Sequence, residues 1–147
     1  MSRRSLIDLN DYFVYITYLN SKMAHTVGDL NNSLEKLKAE LRGMRYPSVQ
    51  SMTLDAFQEG LPPVFLPIVH YCLLEYSPSV AIFIGDSGFD LYAKNDFRFI
   101  ESAYKLLVNQ FNYKPSITVQ QFFQNGFAER KVMMCYDMCV MLKNKHQ

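Results

Sequence analysis

The residues whose types and spacing suit chemistry begin with Gly85-Asp86-Ser87-Gly88. A serine in such a loop acts as a nucleophile when a histidine base and an orienting carboxylate lie beside it. Here Phe89 stands where the next glycine of that pattern is needed, and the three histidines, His25, His70 and His146, lie in no supporting context. We therefore interpret the tetrapeptide as a turn rich in glycine and aspartate, and we predict no catalytic residue.

The three cysteines are the next candidates, because thiolates bind metals. Cys135 and Cys139 lie four residues apart, and Cys72 lies in a separate apolar segment. A metal site built from sulfur ligands usually needs four of them, and no second pair follows. We expect all three to pack in the core, with His70 as a core or boundary histidine. The odd number favours a reducing compartment over a disulfide framework.

Other chemical motifs are missing from the sequence. There is no GxxxxGK[ST] phosphate-binding loop, and no pair of carboxylates stands out against a helical surface. We therefore predict that the protein is not an enzyme and has no cofactor and no metal. The interleaved aromatics Phe97, Tyr113 and Phe127 are expected in the core or at its rim, so we predict no nucleic-acid partner.

The distribution of charge is more informative than its sum, which is +1. Residues 46–93 contain no lysine or arginine, whereas the basic residues are concentrated in Lys36–Arg45 and Lys94–Lys145. A fold that brings these two blocks together has one basic face and one acidic face, which steers it toward an acidic partner. The alternative is that the charges form an ordinary solvated surface.

The clearest element that must position these residues is a helix from Asp96 to Phe111. Asp96 is the predicted N-cap, because its carboxylate can accept from the first free backbone N–H groups. One face is apolar, with residues at three- and four-residue spacing: Phe99, Ile100, Ala103, Tyr104, Leu107 and Phe111. Pro115 prevents the helix from continuing. A long helix with an aromatic face needs other helices around it.

The remaining segments predict those helices. They are Asp29–Leu41, Thr53–Glu59, Val64–Tyr76, a segment from Pro78, Val119–Asn125 and Ala128–Lys143. Gly43 is expected to end the first in a left-handed conformation, and Pro67 is a second candidate for the start of the third. The run Val80–Ile84 also fits a strand. About seven helices with short linkers predict a compact, single all-α domain.

The first 22 residues are predicted to be an N-terminal extension, and the domain proper to occupy residues 23–147. The extension fits either an amphipathic helix or, around VYITY, a strand. Acidic residues interrupt the apolar stretch after Arg3 and Arg4, so a signal peptide is not expected. No run of about 18 apolar residues occurs, so we predict no membrane partner.

Several motifs together carry a resemblance to a known family. In chain order they are Asn31-Asn32-Ser33-Leu34, Arg45-Tyr46-Pro47, Leu66-Pro67-Ile68, Tyr76-Ser77-Pro78, Ala93-Lys94-Asn95-Asp96, Arg98-Phe99-Ile100, Tyr104-Lys105-Leu106-Leu107, Gln110 to Pro115 and Gly126-Phe127-Ala128-Glu129. From Met23 to about His146 the chain resembles the N-terminal domain of the centrosomal protein of 44 kDa family. Arg130 departs from the family pattern, in which a tryptophan follows this last motif.

The resemblance implies a calponin-homology-like helical domain that binds microtubules and contributes to centriole integrity and centrosome assembly. It implies as partners tubulin, a WD-repeat centriole protein and a rootlet coiled-coil protein. The implied localisation is the cytoplasm and its cytoskeleton, at the centrosome, centriole and spindle pole. A rival interpretation is a protein–protein adaptor without direct tubulin contact, which docks the WD-repeat or coiled-coil protein on its acidic belt or on an apolar groove near Phe83 and Phe89.

Tubulin presents an acidic surface, and the two basic blocks supply complementary cations. We predict that the direct contacts come from both blocks, namely Lys36, Arg42, Arg45, Lys105, Lys114 and Lys131. Lys94 and Arg98, near the start of the central helix, are instead expected to pair with neighbouring carboxylates.

Overall fold

Helices account for all the regular secondary structure of residues 27–92 and 94–146, which are the residues that the computed structural model describes. They are α1 (Val27–Gly43), α2 (Leu54–Phe57), α3 (Pro62–His70), α4 (Pro78–Asp86), α5 (Asp96–Phe111), α6 (Val119–Phe122) and α7 (Ala128–His146). The predicted all-α class is confirmed, and the strand alternative for Val80–Ile84 is wrong. The calponin-homology likeness stays a prediction. The extension and the boundary after residue 22 lie outside the described residues.

The first and last helices form the most extensive helix–helix contact. Leu30, Leu34, Leu37 and Leu41 of α1 are buried at the predicted spacing, and α7 supplies the residues that they face. Burying each such side chain contributes about 1.5–3 kcal/mol. At the edge of this interface, Lys143 Nζ lies 2.8 Å from Glu40 Oε1.

The end of α1 differs from the prediction. Gly43 is still helical, and Arg45 takes the left-handed conformation instead, with φ 63°. The N–H of Tyr46 donates to Leu41 O and that of Arg45 to Arg42 O, which is the Schellman arrangement. The helix extends further than predicted because Met44, also buried, continues the leucine stripe.

The third helix begins at the proline pair rather than at Pro67, which lies inside it. A π-helical turn, Tyr71–Glu75, continues α3, and the N–H of Tyr76 donates to Tyr71 O across it. Ser77 then caps α4, which begins at Pro78 as predicted: Ser77 Oγ accepts from the N–H of Val80.

The central helix α5 spans the predicted residues, but its N-cap lies one residue earlier than predicted. Asn95, not Asp96, is the N-cap, since Asn95 Oδ1 accepts from the N–H of Arg98 at 2.8 Å. At the other end Asn112 is left-handed, with φ 52°, and directs Tyr113 into the core. A capping box of Thr118 and Gln121 opens α6, which ends at Phe122 rather than at the predicted Asn125.

No individual helix of the described residues has the length and apolar composition of a membrane span. The pair Pro62–Glu75 and Pro78–Asp86 passes that test only when taken together, with a bend of 84° between them.

Candidate functional site

Five of the six predicted contact residues are exposed. Lys36, Arg42 and Arg45 lie on or just after α1, Lys105 lies on α5, and Lys114 follows the left-handed Asn112. Each therefore presents its charge to solvent, as contact with a partner requires.

The sixth residue, Lys131, is buried, so it is removed from the predicted contact set. It is 0% exposed, and its Nζ donates to the carbonyl oxygens of Gly60 and Gln124. The same Nζ lies 5.9 Å from the centroid of the Phe65 ring and 5.8 Å from that of Phe122. Burial lowers the pKa of Lys131 to about 8. Lys131 stabilises the interior and has no free charge with which to meet a partner.

Two glycines explain why a lysine belongs at this place. The N–H of Gly126 donates to Glu59 O at 2.7 Å, and a Cβ on Gly60 would lie 2.0 Å from Gly126 O. The two loops therefore touch through their backbones, and Lys131 satisfies one carbonyl from each. The burial of Lys131 was predictable from the spacing along α7, because Lys131, Cys135 and Met138 recur at intervals of four and three residues on the buried face.

The cations of α1 lie on two flanks of the helix. Lys36 and Arg42 are six residues apart, which separates them by about 120° around the axis. Lys36 lies one turn before Glu40, on the flank that meets α7. Arg42 lies on the opposite flank with Lys38, whose Nζ is 3.2 Å from Glu35 Oε2.

A groove lies on the second flank, at the C-terminal end of α1, and its volume is about 520 Å³. We call it the basic groove. Its lining residues are Lys38, Arg42, Tyr46, Pro47, Val49 and Gln50. Arg45 is exposed at its end, held there by the left-handed backbone. Helical spacing alone predicts that Lys38, four residues before Arg42, lies beside it. The position of Tyr46 in the lining depends on the turn after α1, which spacing does not predict.

The position of Tyr46 is fixed by Tyr71. The two rings meet edge to face, with centroids 5.1 Å apart, and Tyr71 Oη donates to Met44 O at 2.6 Å. Burial raises the pKa of both phenols, so both are neutral near pH 7. The aromatic wall of the basic groove is therefore uncharged, and the positive charge of its lining comes from Lys38 and Arg42.

The second block of cations lies on other elements. Lys105 and Arg98 are seven residues apart and share the outer face of α5. Lys38 pairs with Glu35 and Lys143 with Glu40, whereas the expected pairing of Lys94 and Arg98 with carboxylates is not observed among the described residues. Both side chains are exposed instead. The extensive contacts of α1 are with α7, whereas those of α5 are with α6, and a shared face for the two blocks stays a prediction.

A buried carboxylate anchors the segment that carries Lys114. Tyr113 Oη donates to Asp137 Oδ2 of α7 at 2.9 Å. Burial raises the pKa of Asp137 to about 6, although the hydrogen bond from Tyr113 lowers it. The sequence analysis missed this pair, because the left-handed Asn112 that directs Tyr113 inward has no signature in apolar spacing.

Comparison with known proteins supplies the family. A family model described as "Centrosomal spindle body, CEP44" matches residues 29–147. The chain belongs to this family. Relatives named "Centrosomal protein of 44 kDa" include those of Bos taurus, 47% identical over 120 residues, Homo sapiens, 46%, and Xenopus tropicalis, 41%. Each match covers 80% of this chain but only 30% or 31% of the relative, so the chain spans under a third of their length.

Membership in this family indicates a centrosome-related role and a centrosomal localisation, as the resemblance implied. The serine, the histidine and the cysteines that were considered as chemical groups make contacts within the fold. Ser87 Oγ donates to Phe83 O within the turn that ends α4. The His70 ring stacks on Phe99 at 3.8 Å. The predicted core cysteines are buried, with Cys72 Sγ 3.8 Å from Cys139 Sγ.

The two phenylalanines that were expected to border one apolar groove lie apart. The Phe83 ring contacts Phe111, with centroids 5.8 Å apart, and Lys145 Nζ lies 4.1 Å from its centroid. Phe89 instead lines a groove on another side of α4.

Proposed function

We propose that this domain is a non-catalytic, microtubule-binding module of the centrosome that contributes to centriole integrity and centrosome assembly. The observation that supports the proposal best is the set of exposed cations along α1, α5 and the segment after α5, combined with membership in a centrosomal family. We propose tubulin as the direct partner, because its surface is acidic and these cations complement it.

The contact set that we propose is Lys36, Arg42, Arg45, Lys105 and Lys114, without Lys131. Exposed charges of this kind mainly raise the association rate, and salt screens them. Binding is therefore expected to weaken steeply between low and physiological ionic strength. The WD-repeat and rootlet coiled-coil partners that the resemblance implied are part of the same proposal for the longer protein.

Co-sedimentation of the chain with polymerised tubulin tests this function. We expect the chain to pellet at low salt, and Arg42→Glu and Lys105→Glu each to weaken binding about threefold to tenfold. Lys94→Glu is the matched control, because this exposed lysine also lies near α5 but outside the contact set. A chain that stays in the supernatant at low salt contradicts the proposed function. An equal loss of binding with Lys94→Glu contradicts the proposed contact set.

A further inference from the structure

A second groove lies between the turn after α3, α4 and the segment that follows α4, and its lining residues fall within the stretch that lacks lysine and arginine. We call it the α4 groove, and its volume is about 230 Å³. Its walls include Leu74, Ala81, Ile84, Gly85, Phe89 and Tyr92. These side chains are mostly apolar, and the space is large enough to receive a large aliphatic side chain.

Exposure points to the same place. Ile82 is 63% exposed and Tyr92 is 58% exposed, the two highest values among the large hydrophobic side chains of residues 29–92 and 94–146. Tyr92 lines the α4 groove, and Ile82 lies next to Ala81, which also lines it. Apolar surface gathered around a groove marks a place where another chain is bound.

The charge around the α4 groove is negative. Asp90 lies in its lining, and its Oδ1 accepts from the N–H of Tyr92 at 3.1 Å, which holds the carboxylate at the rim. Asp86, which follows the lining residue Gly85, is exposed as well. The lining itself holds Asp90 and no cation. Lys94 follows Tyr92 by two residues, and Lys145 Nζ lies 4.1 Å from the centroid of the Phe83 ring of α4.

From these observations we infer that the α4 groove docks a basic amphipathic helix of a partner protein. Aliphatic side chains on one face of that helix enter the groove, in the manner of other helix-in-groove complexes. Lysines or arginines beside that face meet Asp90 and Asp86. An acidic helix is repelled by the same two carboxylates, so charge decides the partner. This site is separate from the microtubule-binding residues and has the opposite sign.

The inference is tested with two synthetic helices of about 18 residues that share a leucine face, one with lysines and one with glutamates elsewhere. Each is titrated into the ¹⁵N-labelled chain at low salt and followed by NMR. The lysine peptide is expected to shift the amide signals of Leu74, Ile84 and Gly85 and those near them. Equal binding of both peptides, or shifts that avoid the groove, overturns the inference.

Gly85→Arg is the blocking variant, because a Cβ at Gly85 meets nothing within 4 Å and the fold can accept a side chain there. We expect it to weaken binding of the lysine peptide at least about tenfold. Ser79→Arg adds the same charge to an exposed position of α4 outside the groove and should bind as the unchanged chain does. Gly85→Arg that binds normally overturns the inference.

Asp90→Asn separates charge from shape, because an amide oxygen can still accept from the N–H of Tyr92. We expect it to weaken the lysine peptide about threefold and to reduce the salt dependence of binding. Sedimentation of the chain without peptide tests whether a second copy of the chain occupies the groove instead. If the chain self-associates and Gly85→Arg abolishes this, the groove holds a second copy and the inference is wrong.

Discussion

At the scale of single residues, Lys131 shows how a cation can belong to the interior. Its Nζ is satisfied by two backbone carbonyls and lies between two aromatic rings, so the charge is held by groups already fixed by the fold. A buried charge is tolerated only with such partners. Lys131 is therefore part of the packing of two loops, and its removal is felt as a loss of stability.

Lys131→Met tests this role. Methionine matches the apolar stem of lysine but has no ammonium group, so the carbonyls of Gly60 and Gln124 lose their donor. We expect the free energy of unfolding to fall by about 2–4 kcal/mol, measured by urea denaturation. Lys105→Met, at an exposed position, should change it by less than about 0.5 kcal/mol. Unchanged stability with lost microtubule binding would instead return Lys131 to the contact set.

Asp137 gives a prediction about pH. Its pKa in the fold is about 6, raised from 3.8, so the folded chain binds a proton that the unfolded chain does not between these values. Lowering the pH through this window therefore raises stability. Relative to Asp137→Asn, the chain should gain about 1 kcal/mol in unfolding free energy between pH 7 and pH 5. Urea denaturation at several pH values measures it, and parallel curves for the two proteins would refute the shift.

At the scale of elements, apolar spacing predicted the long helices, but it left α4 open, since Val80–Ile84 also fitted a strand. The leucine stripe of α1 and the aromatic face of α5 run over several turns, and packing against neighbours reinforces each turn. Helix ends were less predictable. Asn95 and Asp96 are adjacent and both are good N-caps, and only their hydrogen bonds distinguish them. Gly43 had the right residue type for a C-cap, but burial of Met44 carried α1 past it.

Part of the candidate site was likewise predictable from the sequence, and part was not. The exposed cations of α1 and α5 followed from helical periodicity, because they lie opposite the apolar stripes. The basic groove did not, since it needs the left-handed turn at Arg45 to bring Tyr46 back beside Arg42. The prediction for Lys131 was wrong because it rested on the charge of the side chain and not on its position on the apolar face of α7.

Arg45→Gly separates backbone from side chain at the end of α1. A non-glycine residue at φ 63° is strained, so glycine should raise the free energy of unfolding by about 0.5–1 kcal/mol. It also removes a cation, so microtubule binding should weaken while stability rises. Asn112→Gly is the control, because asparagine tolerates the left-handed region and no charge is lost. A fall in stability for Arg45→Gly would mean that its side chain contributes more than its backbone costs.

At the scale of the whole molecule, exposed cations on several elements and a groove with an acidic rim occur on a single helical core. The exposed cations that we assign to tubulin come from α1, α5 and the segment after α5, whereas the α4 groove is apolar with an acidic rim. The two surfaces use different residues, so each can be abolished without the other. This arrangement suits a module that holds a polymer on one surface and a partner protein on the other.

Zero-length cross-linking measures the central claim most directly. A carbodiimide joins a lysine amine to a carboxylate only where the two touch, and mass spectrometry of the chain on polymerised tubulin identifies the lysines involved. We predict cross-links to tubulin from Lys36, Lys105 and Lys114, and none from the buried Lys131. Cross-links confined to Lys94 and Lys145, or none at all from a chain that has pelleted, would contradict the account.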